Sequence, residues 1–283
     1  MRCLKADWHN FILGCIMLLA PVFGKAQTPS PLAEWQYSSG IQLEQLFMPK
    51  PPDWQIEAGV GTALSPAATG LRHVKFQYGP AFDIRYKNLA FLSPGEGIGV
   101  NLLSSCHFTL GGALTYNLGR APRQDREVLE GMGTIHPVPE FKIFASLVLA
   151  KSFPLTIRFD IRKQLKGSNG YIGDLGAYLP MPGSSEKFVW FLGPTLTIAD
   201  TRYMTTYYGV NHNQAITSRY HYYKPSGGLA STGLGLSTNY FLTSHVIVNF
   251  TGAYARLLGS AKNSPLTQTP NQGQVALALM YKF

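Results

Sequence analysis

The chain has 283 residues, of which 45% are hydrophobic and only 14% charged, with 29 glycines and a formal net charge of +9. Soluble domains carry charge on about a quarter of their residues, so this composition points to lipid as the solvent for one face. No concentrated Lys/Arg tract is present, which argues against a nucleic-acid binder; the mild basic balance suits contact with anionic lipopolysaccharide or acidic murein.

Arg2 and Lys5 precede an apolar run from Phe11 to Phe23, followed by Gly24-Lys25-Ala26, with small residues at the two positions a signal peptidase reads. The run is shorter than the roughly 20 residues of a spanning helix, so residues 1–26 are read as a signal peptide. Ile12-Leu13-Gly14-Cys15 has the outline of a lipoprotein box, but most of the apolar run lies beyond Cys15. Cleavage after Ala26 removes Arg2, Lys5, Lys25 and Asp7, which takes the charge from +9 to about +7. It also removes Cys3 and Cys15, leaving Cys106 without a partner for an internal disulfide. Residues 27–52, ending Met48-Pro49-Lys50-Pro51-Pro52, read as a Pro-rich periplasmic segment; Ile41, Leu43, Leu46 and Phe47 give it a second reading as a plug or docking arm.

From Trp54 onward the chain alternates with period two. Trp54, Ile56, Ala58 and Val60 oppose Gln55, Glu57, Gly59 and Gly61; Val74, Phe76, Tyr78, Phe82, Ile84 and Tyr86 oppose Lys75, Gln77, Asp83, Arg85 and Lys87. A short stretch, Leu89 to Leu92, precedes Pro94-Gly95, and two further strands run through Ile98 to Leu102 and Phe108 to Leu118. Phe141, Ile143, Leu147 and Leu149 then oppose Glu140, Lys142 and Ser146. The cleanest segregation follows, with Leu155, Ile157, Phe159 and Ile161 against Thr156, Arg158, Asp160 and Arg162. Tyr171, Leu175 and Leu179 oppose Asp174 and Tyr178, and strands over Phe188 to Ile198, Leu234 to Leu242, Val246 to Tyr254 and Gln274 to Phe283 complete the series. The last alternates over about ten residues, the length a tilted strand needs to cross an outer membrane.

Short connections at Lys87-Asn88, Ser104-Ser105, Lys151 to Pro154, Gly183 to Lys187 and Thr243-Ser244 contrast with long ones at Arg120 to Pro139, Thr205 to Gly228 and Ser260 to Gly273. Outer-membrane barrels have short periplasmic turns and longer outer loops. With both termini inside, the strand number is even: twelve if the Leu89 to Leu92 stretch spans, ten if it and its neighbour do not. An open sheet would leave edge amides unpaired in hydrocarbon at several kcal/mol each, so the expected fold is an all-β, closed antiparallel transmembrane barrel over residues 53–283. Glu57 and Lys282 then face inward on the sealing pair. An Arg158 or Arg162 facing lipid at mid-depth would cost roughly 2 to 4 kcal/mol, which fixes the charged face as the inner one. Trp54, Tyr86, Trp190, Tyr240 and Tyr281 fall near one set of strand ends and Tyr78, Tyr116, Tyr171 and Tyr254 toward the other, as two aromatic girdles.

Several blocks carry a family resemblance: Gly59-Val60-Gly61 with Ser65-Pro66; Phe91-Leu92-Ser93-Pro94-Gly95 before Gly97-Ile98-Gly99-Val100-Asn101-Leu102-Leu103; Gly173-Asp174-Leu175-Gly176-Ala177; Gly193-Pro194-Thr195-Leu196-Thr197 with Ala199-Asp200 and Tyr203-Met204; Gly233-Leu234-Gly235-Leu236-Ser237; and Tyr254-Ala255-Arg256-Leu257-Leu258-Gly259 with Ser264-Pro265. In this order, from about Trp54 to Phe283, they resemble the MipA/OmpV family. The resemblance implies a bacterial outer-membrane barrel, with members described as scaffolds that bring a lytic transglycosylase together with a murein synthase, and others as adhesins or envelope-stress proteins. The leader from Gln27 to Pro52 is longer than the family usually carries.

Inward Glu57, Lys75, Asp83, Arg85, Glu140, Lys142, Arg158, Asp160, Arg162 and Asp174 mix signs at alternate positions, the pattern of a neutralised interior network rather than of acid–base catalysis. Ser104, Ser105 and His107 are adjacent, but no oxyanion-forming glycine motif or orienting carboxylate accompanies them. Tyr207, Tyr208, His212, Tyr220, His221, Tyr222 and Tyr223 concentrate in one long loop; two histidines there are too few for a metal site, and the cluster reads as an outer rim on lipopolysaccharide or a partner-contact surface. The expected protein is non-enzymatic and cofactor-free, a scaffold for murein enzymes, with a small-solute pore or a surface adhesin as the alternative. A hydrolase would instead lose turnover on changing His107 or Asp160.

Overall fold

The computed structural model describes residues 53–283 except 88, 106, 150–154 and 169. The signal-peptide and 27–52 readings, Cys106, and the turn read at Lys151 to Pro154 lie outside the described residues. Twelve strands close into one antiparallel ring: β1 Trp54–Pro66, β2 Val74–Tyr86, β3 Ala90–Ser93, β4 Gly97–Ser104, β5 Phe108–Asn117, β6 Val138–Val148, β7 Thr156–Gln164, β8 Tyr171–Pro180, β9 Phe188–Ala199, β10 Gly228–Phe241, β11 Val246–Leu257 and β12 Asn271–Lys282. Each strand pairs with its sequence neighbours, and β1 pairs with β12 in the register Glu57↔Lys282 to Leu64↔Val275, which seals the cylinder as the inward charges at both positions require.

The period-two pattern decides which face is which. Along β7, Thr156, Arg158, Asp160, Arg162 and Gln164 are buried while Phe159 and Ile161 are exposed, the inverse of a soluble protein and the arrangement expected when hydrocarbon surrounds the wall. The short turns and the chain end gather at one end of the barrel, here the turn end, and the long connections at the other, the loop end. Trp54 and Tyr86 face each other at the turn end with ring centroids 4.6 Å apart, and Phe188–Tyr240 and Tyr281–Phe283 continue this aromatic belt.

The stretch after Leu89 is a strand, so the count is twelve, but it is only four residues long. It pairs with Ile84, Arg85 and Tyr86 of β2 and turns back at 94–96, well short of the loop end. The long connections are also not plain loops. Residues 118–137 contain a 3-10 turn at Pro122–Gln124 and α1 (Arg126–Leu129), residues 200–227 contain α2 (Thr201–Tyr208) and α3 (His212–Thr217), and residues 258–270 contain α4 (Gly259–Lys262). Asp200 caps α2 by accepting from the Tyr203 N–H at 2.8 Å, and Asn211 and Gln214 form a reciprocal capping box on α3.

Candidate functional site in the lumen and its lid

Inside the barrel, Arg85 of β2 donates to both oxygens of Asp83 on its own strand, at 2.9 and 3.2 Å, and to Glu96 at 2.6 Å. Glu96 stands in the β3–β4 tip. Its other oxygen accepts from Arg158 of β7 at 2.9 Å. In the ring order β2-β3-β4-β5-β6-β7 those two arginines stand on nearly opposite walls, so Asp83–Arg85–Glu96–Arg158 is a bridge across the lumen. Glu96 is only 2% exposed, and a carboxylate so buried is tolerable because each oxygen has its own guanidinium.

Two rings pack beneath this bridge. Phe91 of β3 and Phe144 of β6 meet edge to face at 5.6 Å; the Arg85 guanidinium lies 5.6 Å from the Phe91 ring and that of Arg158 5.0 Å from Phe144. They fit because the residue paired with each on the adjacent strand is glycine: a Cβ on Gly99 would lie 2.3 Å from Phe91, and one on Gly111 2.4 Å from Phe144. Toward the loop end a second group follows. Arg162 pairs with Asp174 and, at 3.3 Å, with Asp160; Thr197 donates to Asp174 at 2.6 Å. Glu140 accepts from Gln164 at 3.1 Å, and fully buried Lys142 lies 5.7 Å from the Phe144 ring. Of the ten residues expected inside, nine face one another over β1, β2 and β6 to β8, and Lys75 faces inward nearer the loop end.

The loop end is closed by a packed lid. Tyr207 of α2 accepts from Gln164 at 3.0 Å and donates to Asn117 at 2.9 Å, which ties the lid to the barrel wall, and the Arg120 guanidinium donates to the Tyr207 carbonyl at 2.6 Å. Met204 and Tyr208 of α2 pack on Ile172, Ala199, Ala230, Leu257 and Ala261; Met132, Val210 and Leu266 form a second cluster, and Ala67, Leu71, Val128 and Leu129 a third. Burial pushes the Tyr207 phenol up to about 12 and raises those of Tyr203 and Tyr208 as well.

The lid corrects the reading of the tyrosine-rich loop. Tyr207 and Tyr208 are not on an outer rim: the Asp200 cap starts a helix whose inner face carries both into the core. Tyr220 and Tyr223 are half-buried lid residues, with the Tyr223 hydroxyl donating to the Ser260 carbonyl at 2.8 Å. Tyr222 is exposed and stacks on His212 at 4.3 Å, and His221 is exposed. The Ser105 hydroxyl is spent bracketing its turn, accepting from Phe108 N–H at 3.0 Å and donating to the Phe108 carbonyl at 3.2 Å. Among the described residues no group of three His, Cys, Asp or Glu side chains converges as a metal site.

The residues therefore form a closed, outer-membrane-type β-barrel whose charged interior is internally neutralised and whose loop end is lidded. A family model described as "MltA-interacting protein MipA" matches residues 58–283, and the chain belongs to that family. A comparison with curated proteins gives no match. Among solved structures, the chain is similar to the COG4313 outer membrane channel from Pseudomonas putida F1 (9% identity, 83% of this chain and 97% of that one, TM-score 0.41). It is also similar to the NanC porin (9%, 81% and 99%, TM-score 0.40) and to a bacterial polysaccharide outer membrane secretin (11%, 81% and 98%, TM-score 0.40). These likenesses carry neither substrate nor partner to this chain.

Proposed function

We propose that this protein is a non-enzymatic scaffold of the bacterial outer membrane, with its loop end outward, whose periplasmic turn end holds a lytic transglycosylase of the MltA kind and brings it to a murein synthase. The observation that carries the reading is the family match over residues 58–283, since the family is that of an MltA-interacting protein. The filled lumen agrees with it: the Arg85–Glu96–Arg158 bridge and the lid leave the barrel's ends, rather than its bore, as the working surfaces. The turn end offers exposed Lys87 over the Tyr86 ring, His245 stacked on Tyr281, and exposed Lys187 in the β8–β9 turn, a mixture of cations and aromatics that suits a protein partner.

The test is retention of a purified MltA-type lytic transglycosylase on the immobilised barrel. Lys87→Glu with Lys187→Glu at the turn end should reduce retention, and Arg219→Glu in the lid should not. Absence of retention by the unaltered barrel, or sensitivity to the lid variant alone, would refute the scaffold. A steady porin-sized conductance in planar bilayers would favour the small-solute pore instead.

A further inference from the structure

The outward face of the barrel wall carries charge at its loop end. Along β7, Ile157, Phe159, Ile161 and Lys163 turn outward, opposite to buried Arg158, Asp160, Arg162 and Gln164, so Lys163 is a cation on the face that meets lipid. On β11 the outward column through Phe250, Gly252 and Tyr254 ends in exposed Arg256. Among the described strand residues, Lys163 and Arg256 are the charged side chains on that face; both are cations, and both lie near the loop end of their strands. Each stands beside a tyrosine of the loop-end belt. The Lys163 ammonium lies 5.3 Å from the Tyr171 ring, and Tyr254, two residues before Arg256, donates to Asn271 at 2.9 Å. A cation on the lipid face is costly at the bilayer midplane and nearly free at the interface, so this height is the head-group level.

Around Lys163 the wall has the layering an amphiphile needs. The register sets exposed Phe141, Lys163 and Tyr171 side by side across β6, β7 and β8. The next rows toward the turn end are apolar, with Ile143 beside Ile161 and then Phe159 beside Leu175. Toward the loop end the chain runs into Lys166, exposed in the β7–β8 turn. The start of α2 rests on that turn: the Asp200 N–H donates to the Tyr171 carbonyl at 2.9 Å, and a Cβ on Gly170 would lie 2.6 Å from the Tyr203 nitrogen. Exposed Arg202 is thereby brought to the same stretch of rim. Charge favours an anion at this end. Residues 165–170, 200–227 and 258–270 carry Lys166, Arg202, Arg219, Lys224 and Lys262 against Asp200, which is spent capping α2, while residues 118–137 are balanced. At the turn end Lys87 pairs with Asp53 at 3.1 Å and Lys187 follows Glu186, so the described surface changes from balanced to basic along the barrel axis.

We propose that the outer wall of β6 to β8 binds one lipopolysaccharide molecule of the outer leaflet, its phosphorylated sugar end meeting Lys163, Lys166 and Arg202 while acyl chains lie on Phe159, Ile161 and Leu175. This rests on the loop end facing outward and is independent of any partner at the turn end. The test mixes the purified full chain, stripped of lipid in detergent, with bisphosphorylated lipid A and counts bound molecules by native mass spectrometry. The unaltered barrel should retain one lipid A. Lys163→Gln with Lys166→Gln should weaken retention about tenfold, from the contribution of each lysine beside an anionic head group, and exposed Lys187→Gln at the turn end should leave it unchanged. Lipid A stripped of its phosphates should bind the unaltered barrel as weakly, a comparison that stands even where the double variant fails to fold. No lytic transglycosylase enters this assay, so its failure would leave the scaffold reading standing. No retained lipid A, equal retention of the phosphate-free lipid, an equal loss in Lys187→Gln, or phosphatidylglycerol held as tightly as lipid A would each overturn the proposal.

Discussion

Replacing Glu96 by glutamine tests whether the lumenal bridge joins opposite walls. The side chain is 3% exposed and its partners Arg85 and Arg158 are 12% and 7% exposed, so solvent can do little to replace the lost charge. Removing one member of a buried ion pair destabilises by about 3 to 5 kcal/mol. Arg85 keeps two hydrogen bonds to Asp83, which places the expectation at the low end, about 3 kcal/mol. Reversible guanidinium unfolding in detergent micelles, followed by tryptophan fluorescence and by electrophoretic mobility, reads this as a shifted midpoint. Exposed Glu186→Gln should move it by less than about 0.5 kcal/mol. In a cycle with Arg158→Met, the double variant should lose at least about 1 kcal/mol less than the two single losses added together. A Glu96→Gln barrel as stable as the Glu186→Gln control, or strictly additive losses with Arg158→Met, would refute the bridge.

Gly111→Ala should destabilise by about 1 to 3 kcal/mol or block folding, because the new methyl would lie 2.4 Å from both the Phe144 ring and the Val100 carbonyl; the folded fraction on unheated gels reads it. Tyr207→Phe removes the hydroxyl between Gln164 and Asn117 and should loosen the lid by about 1 to 3 kcal/mol, seen as faster proteolysis within residues 200–227 of a barrel that still migrates as folded. The lid should also open in alkali. Burial raises the Tyr207 phenol to about 12, so its contribution is fully present below the unfolded value near 10 and is lost as pH rises through 12, because the open lid releases the proton first. Proteolysis of the lid should therefore accelerate between about pH 10 and 12 and do so less in Tyr207→Phe, whose lid lacks that phenol.

The strands were legible because a bilayer enforces alternation: any slip by one residue would turn Arg158, Asp160 and Arg162 toward lipid, so the pattern in β7 has one solution. Glu96 was not, since it sits at a hairpin tip where period two stops; the hint was an acid after Pro94-Gly95 in a chain with few charges. Inward Phe91 and Phe144 break the rule that apolar means outward. Their trace in the sequence is the pair Gly99 and Gly111, which lie beside those rings and leave room for them. Tyr207 and Tyr208 look like surface residues when the segment is taken as a loop, yet Asp200 followed by Met204 and Tyr208 four residues apart is the spacing of a capped helix with a buried face. The lid itself depends on contacts between distant loops, such as Gln214 donating to the Met132 carbonyl at 2.7 Å, and no local pattern encodes those.

The interior is divided by chemistry, and the short hairpin explains why. Buried charges line the arc from β1 and β2 through β6 to β8, whereas β9 to β11 turn Thr195, Thr197, Ser237, Asn239, Asn249 and Thr251 inward, neutral groups that need no counterions. A four-residue β3 cannot reach the loop end, so its tip lies inside the cylinder with one acid, the ring of its own Phe91 and that of Phe144 from β6. That acid requires cations from both sides, which Arg85 and Arg158 supply, and beyond Ile84 the described strands pair with β2 on its β1 side. Lengthening β3 and β4 by equal even numbers of residues should therefore displace Glu96 from Arg158 and extend the β2–β3 pairing beyond Ile84 together, and a lengthened barrel in which Glu96→Gln costs as much as before would contradict that coupling.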